Sequence, residues 1–100
     1  MRTCIDRLIS RAHVDSTSIR VELDFISGAL EQVRADGLIS NDAFLDAGSV
    51  HGALLMIAEH VDLGVSQKEI HEMLTQQITR AKKVEEKHPG INHALESRRE

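Results

Sequence analysis

Apolar residues recur along this chain at intervals of four and three. Met1, Ile5, Leu8 and Ala12 form one series, and Ile19, Leu23, Ile26, Leu30 and Val33 a second. Ala43, Ala47, Val50, Leu54, Ile57 and Val61 form a third; Ile70, Leu74, Gln77, Ala81 and Val84 form a fourth, with one polar member. Such spacing puts each series on one face of an α-helix, in the geometry of bundles and coiled coils. No stretch alternates with period two for long enough to predict a strand. The pattern therefore predicts an all-α fold, an antiparallel bundle of three long helices plus a short N-terminal helix.

The joints between the series agree with this reading. DSTS at 15–18 and SND at 40–42 supply side chains that cap helix N-termini. Gly37 and Gly64 fall where helices two and three end. The single proline, Pro89, stops the fourth helix within HPG at 88–90. Short connections between long helices imply antiparallel neighbours. The predicted organisation is one helical domain over 1–88 and a charged C-terminal tail over 89–100.

Residues 62–74, DLGVSQKEIHEML, resemble the opening of a helix-turn-helix, but helix initiation accounts for every one of them. Ser66 and Glu69 stand at the spacing of a capping box, and Val65 and Ile70 at that of a hydrophobic staple. A helix-turn-helix needs a second turn two to three helical turns later. Here HEMLTQQITRAKKVEEKH continues without Gly or Pro, and no separate base-reading helix follows.

Composition narrows the partners. The 100 residues carry a net charge of −4, which argues against nucleic acid or an anionic membrane, since both reward concentrated Lys and Arg. The stretch from Arg80 onward is richer in base, but Glu85, Glu86, Glu96 and Glu100 make it mixed. With two Phe and no Trp or Tyr, the core must be aliphatic, and self-association becomes a plausible further source of burial. One cysteine, Cys4, excludes an internal disulfide and makes a reducing setting the default. MRTCIDRLISRAHV lacks the apolar core of a secretory signal, and the longest apolar run, ALLMIA at 53–58, is too short to span a bilayer. A soluble cytoplasmic protein is expected.

Two helices carry more apolar surface than one face needs. Helix three adds a second stripe, Phe44, Gly48, His51, Leu55 and Ala58, with Leu45, Gly52 and Met56 further round. Gly48 and Gly52, four apart, would let another helix approach closely. Helix two places Val21, Phe25 and Gly28 nearly opposite its main stripe, a back face that either contacts something outside the chain or is covered by helix one or the tail. Val21, Phe25, Gly28, Phe44, Gly48, His51, Leu55 and Met56 are the candidate interface, and the bundle is expected to form a homodimer through helices two and three. Gln77 reads either as a seam-edge residue reaching solvent or as a buried polar group that sets register. His51 reads as a packed histidine, or as one that makes association pH-sensitive.

Chemistry of other kinds finds little footing. Of the six histidines, none makes a His-x-x-x-His pair; the one Glu-x-x-His, Glu85 with His88, is half of a di-metal motif and is explained by edge ion pairs. Cys4 and the serines have no evident base and orienter, and no glycine-rich loop cradles phosphate. No enzyme activity, metal or other cofactor is expected. The reading is a small protein-binding regulator, of inhibitor, anti-activator or adaptor type, that docks an apolar helix face on a target protein. The alternative is a DNA-binding transcriptional regulator with a divergent helix-turn-helix, using the segment from Arg80 to Lys87.

Overall fold

The computed structural model describes residues 1–99, and among them regular structure is helix alone. The helices are α1 (Arg2–Ile9), α2 (Ser16–Ala35), α3 (Asn41–Asp62), α4 (Gln67–Lys87) and α5 (Ile91–Glu96). Each long helix starts at a predicted cap. Asp15 accepts from the Ser18 amide at 2.7 Å, Ser40 from the Ala43 amide at 3.1 Å and Ser66 from the Glu69 amide at 3.3 Å. Each of these bonds satisfies an amide that the helix itself leaves free. Both glycine stops are Schellman turns. At Gly64 (φ +86°) the Val65 amide reaches back to the His60 carbonyl at 3.1 Å and the Gly64 amide to Val61 at 3.0 Å. Gly37 (φ +71°) repeats the pattern on Val33 and Arg34. Those left-handed conformations strain any residue with a Cβ, which is why glycine stands there.

α3 lies between α2 and α4, antiparallel to both. Contacts at the ends fix the directions. Arg20, early in α2, pairs with Asp62 at the end of α3 at 2.9 Å, and Asp46, early in α3, receives Lys87 and His88 from the end of α4 at 3.1 and 2.8 Å. The remaining side of the core is closed by the two short helices, α1 mainly against α4 and α5 mainly against α2. Ile19, Ile26 and Val33 of α2 enter the core, as do Ala47, Val50 and Leu54 of α3 and Ile70, Leu74 and Ala81 of α4. These are members of the predicted stripes. No helix among the described residues is long and apolar enough to cross a membrane.

The structure departs from the sequence reading at both ends. Residues 91–96, assigned to a charged tail, form α5, with Ile91 2% and Leu95 0% exposed. Their four-residue spacing is a helical face, but six residues are too few for periodicity to declare itself among the surrounding charges. The described bundle thus has five helices, and its apolar core includes this segment. α1 stops at Ile9, and Ala12 is exposed. Val14 is buried in its place, held by the Gln67 side chain. The Gln67 amide accepts from the Val14 N–H at 2.7 Å and donates to the Val14 carbonyl at 2.9 Å, as a neighbouring strand would. Gln77, for which two readings stood open, is buried at 9% exposure within this chain's own packing, and Arg80 donates to its carbonyl oxygen at 3.3 Å.

Leu54 is fully buried at the centre of α3. Leu54→Ala is expected to lower the free energy of unfolding by about 2–5 kcal/mol, the usual range for deleting a core leucine. Urea denaturation measures it, and a change near zero would place the core elsewhere.

Candidate functional site

α3 is apolar on both sides. Its inward side carries Ala43, Ala47, Val50, Leu54 and Ile57. Each residue advances about 100° around a helix, so Leu45, Gly48, Gly52 and Leu55 fall on the side turned away from the core, with Met56 beside them. Leu45 is 65% and Met56 59% exposed; Leu55, Gly48 and Gly52 are exposed as well. Only Ser49 within the stripe and Glu59 at its end are polar. An exposed apolar residue standing alone is ordinary; here the exposed apolar positions run contiguously over about three helical turns.

The two glycines make that row unusual. A Cβ placed on Gly48 or Gly52 would meet no atom of this chain within 4 Å. Packing inside the monomer therefore has no need of them, and mid-helix glycine costs about 0.5–1 kcal/mol relative to alanine.

The eight candidate residues fall in three places. Gly48, Leu55 and Met56 lie on the outer stripe of α3. Leu45 and Gly52 complete it; their three-and-four spacing with Gly48 and Leu55 was the signal available in sequence. Met56 borders a shallow groove against Met73 and Gln76 of α4. Phe44 and the half-buried His51 sit on the flank of α3 nearer α2, and the Arg34 guanidinium covers the Phe44 ring at 4.4 Å. Val21, Phe25 and Gly28 belong to a different surface, since Val21 borders a depression shared with Arg7, Leu8 and Arg11 at the end of α1. Phe25 is covered by the tail: the Arg99 guanidinium stacks on its ring at 4.0 Å. Of the two outcomes open for the back face of α2, coverage by the tail holds at Phe25.

Arg99 is a hub. It grips Glu96 through Nε at 2.8 Å and Nη2 at 3.1 Å, and Nη2 also reaches Glu22 at 3.0 Å and Cys4 Sγ at 3.2 Å. Glu22 is a buried carboxylate on α2. Its placement could not be read from periodicity, because its partner lies far along the chain. Arg7 approaches it as well, at 3.6 Å. Burial pushes the Cys4 thiol up to about 12, and the carboxylates of Glu22 and Glu96 add to the rise. The thiol therefore stays protonated at neutral pH and is a poor nucleophile. Asn92 ties α5 to α1, accepting from the Met1 amine at 2.9 Å and donating to Thr3 Oγ1 at 2.9 Å.

The remaining candidate groups point apart. Glu85 pairs with Arg2 at 3.1 Å, whereas His88 turns to Asp46. No group of three or more potential metal ligands is gathered among the described residues. α4 runs unbroken from Gln67 to Lys87. Arg80, Lys83 and Lys87 line the groove between α3 and α4 beside Asp46, which holds Lys87 in an ion pair. Comparison with known protein families, with curated protein sequences and with solved structures finds no match.

Gly48→Ala and Gly52→Ala are each expected to stabilise the isolated chain by about 0.5–1 kcal/mol, through helix propensity without a clash. Urea unfolding at low protein concentration checks this; a loss would mean that the glycines serve packing within the chain. Acid should act in the opposite direction. Hydrogen bonds from Ser18 hold Asp15 below the usual carboxylate range, His88 and then Lys87 do so for Asp46, and Ser16 and Arg20 for Asp62. Burial works to raise Glu96, but the bonds and charge of Arg99 outweigh it and the net shift is downward. Each group thus contributes stability that is present above its unfolded value, about 3.9 for Asp and 4.3 for Glu. That contribution is lost as pH falls through the folded value. The urea midpoint should drop between about pH 5 and pH 2, and less steeply in Asp46→Asn; a flat midpoint would contradict the pairing.

Proposed function

We propose that this chain is a small protein-binding regulator, of inhibitor, anti-activator or adaptor type, acting in the cytoplasm as a binding module rather than an enzyme. It works by docking the outer face of α3 on a target protein. The observation that carries the reading is the exposed stripe Leu45, Gly48, Gly52, Leu55 and Met56, whose glycines have open space above them. Leucine and methionine supply the anchors, and methionine repacks readily against different shapes. The glycines leave room for a target backbone to come close. Burying three such side chains is worth roughly 1.5–3 kcal/mol each before the costs of association. Asp42 and Glu59 lie toward the ends of α3 and favour a target with a basic rim.

The test is capture of a target from nuclease-treated native lysate with tagged protein, followed by salt elution and mass spectrometry. A stoichiometric protein is expected that Leu55→Asp and Met56→Asp lose and that Val21→Asp, on the separate surface of α2, retains. Loss with Val21→Asp alone would move the site to α2. Bound material that disappears with nuclease would favour the DNA-binding alternative.

A further inference from the structure

We propose that the outer face of α3 is occupied, when no target is bound, by α3 of a second copy of this chain, packed antiparallel about a two-fold axis that meets this face midway between Gly48 and Gly52, at the level of the inward-facing Val50. This rests on the docking reading of the same face and names the occupant.

The leucines and glycines of the stripe are symmetrically placed. Leu45 and Leu55 lie equally far from Val50 in sequence, as do Gly48 and Gly52. Read from either end, its leucines and glycines run leucine, glycine, glycine, leucine, while Met56 at the edge of the row reflects onto Phe44. A two-fold contact is made by one patch meeting itself, residue i on j and j on i. Antiparallel pairing sets each Gly48 against the partner's Gly52 at the crossing, where the two backbones approach, and each Leu45 beside the partner's Leu55 at the ends. The inward side of α3 lacks this symmetry, since reflection about Val50 sets Ala43 against Ile57. The arrangement is thus confined to the side that the monomer leaves uncovered.

Charge selects the direction. Glu59, the acidic residue at the end of the stripe, reflects onto Asn41 in the first turn of α3. Antiparallel pairing brings the Glu59 carboxylate to the positive end of the partner's helix, and the acidic residue of that first turn, Asp42, lies about 100° further round. Parallel pairing would instead set Glu59 against Glu59 at two negative helix ends. Size limits the affinity. From Leu45 to Glu59 the stripe runs about 21 Å at ~1.5 Å per residue and is about 10 Å wide. A contact of that extent falls below the roughly 1,200–2,000 Å² buried in a standard stable complex. The pair is therefore weak enough to open, and self-association and target binding compete for one face.

Sedimentation equilibrium from about 1 µM to 1 mM, combined with cysteine cross-linking, tests this. The mass is expected to rise from monomer to dimer with concentration. The Gly48→Ala, Gly52→Ala double variant should weaken association at least tenfold while the dilute chain melts at a higher temperature, opposite signs that a folding defect cannot produce. Mixed under mild oxidant, Leu45→Cys and Leu55→Cys chains should join to one another in preference to themselves, with buried Cys4 left in place. Self-joined chains alone would mean parallel pairing and overturn the proposal, as would a dimer indifferent to the double variant. A monomer at every concentration would overturn it too, and would leave target docking, judged by loss of the captured protein in Met56→Asp, standing separately.

Discussion

α2 and α4 flank α3 and hardly touch each other, so one side of the core they share stays open to water until something covers it. In this chain the cover is two short helices, α1 and α5, of 8 and 6 residues. Neither is long enough to hold its shape alone, because a helix gains its stability only after several turns have formed. They hold because they are tied to each other and to the long helices. Asn92 joins α5 to α1, Arg99 joins α5 to Glu22 of α2, and Arg98 reaches Asp36 at 2.7 Å. Below these bonds Met1, Ile5, Leu8, Ile91 and Leu95 leave water together. Closure of the core by the two ends of the chain is the condition on which burial of the rest depends.

That closure consumes most of the chain's specific chemistry. The one cysteine is a packed, protonated thiol, the buried glutamate is an arginine's partner, and Phe25 is a platform for the same arginine. Groups that look reactive in a list of residues are occupied in holding the fold. α3 packs against α2 and α4 through one side and turns leucine, methionine and two glycines outward, while Val21, Leu38 and Leu63 are exposed singly elsewhere. The contrast between a polar seam satisfied internally and an apolar helix face left bare is the basis for reading the molecule as a binding module.

Periodicity made most of this legible. The apolar series predicted the helices, and Asp15, Ser40, Ser66, Gly37 and Gly64 placed their ends, since these are local effects written within a few residues. Two polar anchors were out of reach. Gln67 reads as an ordinary first-turn residue until Val14 is beside it. Glu22 reads as a solvated position until Arg99 covers it, and the separation between those two residues hides the pair from any local pattern. Of the candidate surface, spacing placed Gly48, Leu55 and Met56 on one exposed side of α3, but it grouped them with Val21, Phe25 and Gly28, which another side of the bundle carries.

By itself, then, the sequence determined the all-helical class, the three long helices with their caps and stops, and the aliphatic residues that face inward, because helix geometry links those features to neighbours three and four residues away. Only the tertiary structure decided that residues 91–96 complete the core, that Arg99 covers the back of α2, and that the outer side of α3 stays bare. Those outcomes depend on which distant segments meet, and a chain's spacing sets the faces of its helices without saying which faces are covered.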